Sequence, residues 1–121
     1  MSLLSLLLVG AGGFIGAIAR FATTQAINKK SSSTVPVSTL TVNILGSFIL
    51  GLLTGSTAGH ALMLFFGTGM MGAFTTFSTF KLEGVQLHLK KEKRAFIYYN
   101  SCCYVGGILS AYIGLMVGRL L

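Results

Sequence analysis

This chain has very little charge. Nine Lys or Arg and two acids make up the charged residues of its 121 positions, 9% of the whole. A soluble domain carries roughly a quarter, so an ordinary soluble fold is excluded. The two acids are Glu83 and Glu92, and the two histidines, His60 and His88, fall in different connections. No acid pair, metal-binding spacing or serine with a nearby base can be assembled, and the chain is read as not an enzyme. Cysteine is equally scarce. Cys102 and Cys103 are neighbours, and neighbours on one helix point in different directions, which rules against a mutual disulfide. They are read as small, packable side chains.

Apolar residues fill the space: 53% of the chain is hydrophobic. Four stretches stand out, at Leu3 to Ala22, Val37 to Thr54, Ala61 to Phe80 and Phe96 to Leu120. Each can cross a hydrocarbon core, which takes about 20 helical residues. They predict an all-α membrane protein, with residues 1–121 forming a single domain of four transmembrane helices. The first stretch has no basic leader and contains Arg20, so it is read as a permanent helix rather than a signal peptide. In the first connection, Thr34 is expected to cap the second helix, with Pro36 in its first turn.

The net charge of +7 would suggest nucleic acid in a soluble protein. Here the basic residues flank apolar spans, which points to lipid headgroups and topology instead. No nucleic-acid partner is expected. Arg20, Lys29, Lys30 and the third connection (Lys81, Lys90, Lys91, Lys93, Arg94) share one side of the membrane, and Arg119 stands alone on the other. The positive-inside rule then puts both termini outside. The location is the cell (plasma) membrane, crossed several times.

Within the spans, glycine recurs four residues apart at Gly12/Gly16, Gly51/Gly55 and Gly114/Gly118. Such pairs let helix backbones approach closely in lipid. The run Gly10-Ala-Gly12-Gly13-Phe-Ile-Gly16 looks superficially like a dinucleotide fingerprint, but no soluble strand precedes it. Arg20 ends the first span, either snorkelling to the headgroups or attracting anions at a vestibule. Asn43 is mid-span and needs a partner in protein or water. Thr39, Asn43, Gly46 and Ser47 share its helical face. Tyr99, Cys103 and Gly107 form one stripe on the last span.

Residues 72–80, Gly-Ala-Phe-Thr-Thr-Phe-Ser-Thr-Phe, concentrate the polarity. Four hydroxyls at that depth are costly unless they face protein or water. Irregular backbone there is tolerated only against a cavity or protein. Phe77 and Phe80 share a face if the segment is helical. Ring edges are positive, so rings and hydroxyls together can contact an anion without a full charge to trap it.

Three motifs carry a resemblance: Gly12-Gly13-x-x-Gly16-Ala17-x-x-Arg20, Thr39-x-x-x-Asn43-x-x-Gly46-Ser47-Phe48-x-x-Gly51 and Gly72-x-x-Thr75-Thr76-Phe77-Ser78-Thr79-Phe80-x-x-Glu83. In length, span count and motif order the chain resembles the CrcB/Fluc fluoride channels. The resemblance implies an antiparallel dimer, with itself or with an inverted homologous subunit. It implies a third helix broken mid-span and two fluoride pathways along the dimer interface. It also implies a central structural sodium ion (Na+) held by backbone carbonyls, here those of Gly72 and Thr75 of both subunits. By motif position the ion pathway comprises Asn43, Phe77, Phe80, Ser78, Thr79, Tyr99, Arg20 and Thr39. The implied activity is passive export of fluoride that enters as HF and ionises in the cytoplasm. Two departures concern Ala73, where a glycine is common, and Cys103 with Gly107, where serines are common. A thiol is a weaker donor than a hydroxyl, so the polar track is expected to be interrupted there.

Two other readings compete. A small proton-coupled multidrug exporter needs an acid in the first span, and Leu3 to Ala22 has none. A non-conducting structural partner subunit would leave the polar line of Asn43, Thr75 to Thr79 and Tyr99 without a purpose.

Overall fold

A computed structural model describes residues 2–30, 36–57 and 59–121. It contains a first helix, Leu3–Lys30, a second, Val37–Gly55, and a last, Lys93–Leu120. The third span runs from residue 60 to residue 89 in pieces. One α-turn at His60–Leu62 leads into wide, π-type turns over Met63–Met71, then Gly72–Phe74, then a break, then Ser78–Leu89. Among the described residues four such spans are long and apolar enough to cross a membrane.

The helices extend beyond the apolar runs. The first was expected to end at Ala22 and continues to Lys30. At 1.5 Å per residue its 28 residues measure about 42 Å, longer than the roughly 30 Å hydrocarbon core. That length is enough to carry Lys29 and Lys30 to the headgroup layer. Residues 81–89, expected in a connection, are helical as well. Hydropathy marks where lipid ends, and a helix has no reason to stop there. Thr34 lies outside the described residues. Pro36 immediately precedes the second helix instead of opening its first turn, and its carbonyl accepts the Leu40 N–H at 3.2 Å.

Glycine sets how closely the helices pack. A methyl group at Gly12 would collide with the Phe65 carbonyl oxygen, and one at Gly16 with that of Met70. These contacts seat the first helix on the third span. The second and last helices interlock reciprocally: Gly51 and Gly55 face the Ala111 and Leu115 carbonyls, while Gly114 and Gly118 face those of Phe48 and Leu52. Backbone meets backbone along both seams, as small-residue spacing allows in lipid. The buried side chains form two clusters. One contains Val42, Met71 and Phe74, and the other Phe80, Leu87, Tyr99 and Cys103. Most large apolar side chains elsewhere, such as Phe14, Ile108 and Leu120, point outward, which suits a lipid solvent.

Gly114→Val is expected to lower stability by about 1–3 kcal/mol, the range for overpacking, because its branches would meet the Phe48 backbone. Gly10→Ala, which has open space, should be neutral. Thermal unfolding of the two variants in detergent distinguishes them.

Candidate functional site

The break in the third span is narrow, and its bonding explains it. Thr75 turns to extended backbone, with φ −85° and ψ 163°, although its N–H still reaches the Met71 carbonyl at 3.0 Å. Thr76 N–H then leaves the helix ladder and donates to Asn43 Oδ1 at 2.8 Å. In return, Asn43 Nδ2 donates to the Thr76 carbonyl at 2.8 Å. One primary amide thus satisfies both backbone groups of Thr76, as a neighbouring strand would. Phe77 returns to helical angles, and its carbonyl accepts the Lys81 N–H at 2.9 Å. The Thr76 hydroxyl accepts the Thr79 N–H at 3.2 Å, covering one of the donors that a helix start leaves open. Thr75 turns its hydroxyl back to the Met71 carbonyl at 2.9 Å.

Two cavities flank the break, and Thr76 lines both. The first, about 450 Å³, is walled by Asn43, Ser47, Thr75, Phe77, Phe80 and Tyr104. The second, about 490 Å³, is walled by Arg20, Thr24, Thr39, Thr79 and Glu83. It lies where the end of the first helix, the start of the second and the second half of the third span meet. Most of the site residues named from the sequence therefore converge on one place. Arg20, Thr39 and Thr79 face the second cavity, and Asn43, Phe77 and Phe80 the first. Ser78 and Tyr99 line neither. Ser78 is exposed, and Tyr99 is fully buried with its ring 5.2 Å from that of Phe80.

Phe77 lies in the break rather than on a helix face shared with Phe80. The two rings still meet edge to face, with centroids 5.9 Å apart. Phe80 is 3% exposed and Phe77 64%, so the pair reaches from the core to the open rim of the first cavity. Gly72 also lines that cavity, and a methyl there would meet nothing within 4 Å.

Glu83 is the residue that sequence reasoning passed over as a site member. Its Oε1 accepts the Thr39 hydroxyl at 2.5 Å and lies 3.5 Å from that of Tyr99. An acid inside a hydrophobic span is a functional signal in its own right. It was masked because residues 81–94 looked like a polar connection.

The departures from the family pattern have local outcomes. Ala73 continues a regular turn, Gly72–Phe74, and the break follows it. Beside Gly107, a methyl would lie 3.6 Å from the Ser47 hydroxyl, so a hydroxyl from the second helix borders the position that lacks one. Ser47 donates to the Asn43 carbonyl at 2.7 Å.

For a metal, no cluster of three His, Cys, Asp or Glu exists among the described residues. Backbone oxygens are the fitting donors. The Thr76 N–H that would normally bind the Gly72 carbonyl is committed to Asn43. That frees a hard oxygen ligand suited to a small alkali cation.

Residues 7–115 match the family model described as CrcB-like protein, Camphor Resistance (CrcB). The chain is 47% identical over 114 residues to a fluoride-specific ion channel FluC 2 of Bacillus cereus, covering 94% of this chain and 97% of that protein. It is 42% identical over 116 residues to fluoride-specific ion channel FluC 1 of Listeria monocytogenes serotype 4b, covering 96% and 98%. The FluC 1 protein of Geobacillus kaustophilus is 45% identical over 113 residues, covering 93% and 97%. With its four apolar spans, the chain is a multi-pass membrane protein.

Asn43→Leu keeps the bulk and removes both bonds to Thr76. Each orphaned backbone group costs about 1–3 kcal/mol. Thermal unfolding should show a loss of that order, with faster amide exchange confined to residues 75–79. Uniform exchange with unchanged stability would show that Asn43 does not hold the break.

Proposed function

The chain belongs to the CrcB family, and we propose that it is a fluoride-selective channel that exports cytoplasmic fluoride by passive electrodiffusion, protecting the cell from fluoride toxicity. The observation that carries this reading is the lining of the break: one amide, several hydroxyls and ring edges, on a chain nearly half identical to proteins named fluoride-specific ion channels. Fluoride is small and tightly hydrated, so replacing its water requires several donors. Asn43 spends one of its two amide protons on Thr76, leaving the other for an anion. Phe77 and Phe80 line the same wall with their rings edge to face, and the positive edge of a ring is the part suited to an anion. Ser78, Thr79, Tyr99, Thr39 and Arg20 complete the path, with Arg20 and Thr79 at the second cavity. The inside-negative potential drives the anion outward, and no coupled ion is needed.

Two finer features belong to the same proposal. The Gly72 and Thr75 carbonyls of two subunits would hold a structural sodium ion, supported by the diversion of the Thr76 N–H. The functional unit would be an antiparallel dimer. Supporting this, the first cavity opens on a side where Gly72 and Phe77 are exposed, so a second chain can complete its wall. Eight basic residues against Arg119 alone give a single chain one favoured orientation. In the cell, that argues for an inverted homologous partner.

Purified protein in liposomes, with a potassium ionophore supplying counter-charge, should release fluoride and not chloride. Phe80→Ile, which keeps apolar bulk and loses the ring edge, should cut the rate at least about tenfold, equivalent to 1.4 kcal/mol. Replacing sodium by a large organic cation throughout purification should lower the unfolding temperature. Equal fluoride and chloride rates would overturn the selectivity.

Orientation is checked separately in cells, on a background lacking Cys102 and Cys103. A cysteine at position 31 should label only from inside and one at position 57 only from outside. Labelling of each from both sides would show dual topology and remove the need for a separate partner.

A further inference from the structure

Lys81 was expected in a connection, and it is instead in the first turn of Ser78–Leu89, directly after Phe80. A helix start is the positive end of its dipole and disfavours a cation. Three aromatic rings hold the ammonium there: Nζ lies 5.1 Å from the Phe80 centroid, 5.2 Å from Tyr104 and 5.3 Å from Phe77. These are cation–π distances. The nearest acid in sequence, Glu83, is engaged instead by the hydroxyls of Thr39 and Tyr99.

All three rings also line the first cavity. The rings stand edge to face, Phe77 on Phe80 at 63° and Phe80 on Tyr104 at 77°. A cation over a ring face draws the π-electrons toward itself, which leaves the ring edges more positive. Lys81 is exposed and outside the first cavity's wall, so the rings it lies against are its link to the cavity. Its field acts on the cavity across those rings, and Lys81 is not a wall residue that an ion in the cavity would meet directly.

Building on the anion-channel reading above, we propose that Lys81 is a positioning residue that adds a fixed positive charge at the first cavity through the Phe77, Phe80 and Tyr104 rings and raises fluoride occupancy there. Such a field acts most strongly on a dilute ion at low ionic strength. It fades as salt screens it. A residue that merely packs the rings would show no such dependence.

The test compares unsubstituted protein with Lys81→Met, Lys81→Gln and Lys81→Arg in liposomes, measuring initial fluoride efflux across fluoride concentration and ionic strength. At low fluoride and low salt, the Met and Gln variants should be slower by roughly three- to tenfold. The gap should close at saturating fluoride or high salt. Arg, which also stacks on rings, should preserve the rate. With both Met and Gln in hand, failure of one to fold leaves the other to be read. Neutral variants that match the unsubstituted protein at low salt would overturn the proposal. So would a loss by the same factor at every ionic strength, which marks a packing role. Unsubstituted protein that passes no fluoride would overturn the channel reading and this inference with it.

Discussion

The pair of hydrogen bonds between Asn43 and the backbone of Thr76 is the constraint on which the site depends. A helix in lipid has no water to take up a broken rung, so each released N–H and C=O must be met by protein. An amide is well suited to this, because it presents a donor and an acceptor side by side. Once Thr76 is held, the chain direction can change over Thr75–Phe77 and restart at Ser78. That restart turns Phe77 to the open rim, sets Phe80 in the core and brings Thr79 to the second cavity. It also leaves the Gly72 carbonyl without its usual donor. Cavity walls, aromatic pair and candidate cation ligands all follow from one side chain on another helix.

Such a clamp works only if the second helix and the third span keep a fixed separation. Glycine supplies that rigidity. Gly46 faces the Thr75 side chain so closely that a methyl group would displace it. The reciprocal Gly51/Gly55 and Gly114/Gly118 seam anchors the second helix to the last, and Gly12/Gly16 anchor the third span to the first. These contacts rest on van der Waals packing, because lipid tails are as apolar as the side chains and give little hydrophobic drive between helices. Glycine therefore serves the site at a distance.

The spans were legible because an apolar run must match the thickness of the bilayer. Their ends were not, since a helix that leaves lipid continues for as long as its residues tolerate it, here to Lys30 and Leu89. The polar run 72–80 was legible because hydroxyls are conspicuous where every polar atom needs a partner. Asn43 was recognisable as a residue in need of partners, but which backbone would meet it depends on helix placement, and no spacing in one chain encodes that. Glu83 and Lys81 were hidden by the same misjudged boundary. Assigned to a connection, both read as ordinary surface charge.

Moved into the helix, those two charges change the electrostatic picture of the break. A hydroxyl-and-ring path with no charge at all would give an anion weak reason to leave water, and a bare cation on the path would hold it too firmly. In the proposed path, Glu83 and Lys81 lie close to the lining with partners of their own. Hydroxyls of Thr39 and Tyr99 are turned to the Glu83 carboxyl. The Lys81 ammonium lies against three rings. Arg20 lines the same cavity as Glu83, so the acid's repulsion of an anion is opposed there by a guanidinium. The first cavity has hydroxyl, amide and aromatic groups in its wall, and the fixed charges act on it only through intervening side chains. Conduction requires binding firm enough to replace water and loose enough to release the ion, and charges placed behind neutral donors are a physical means of meeting both demands in one short chain.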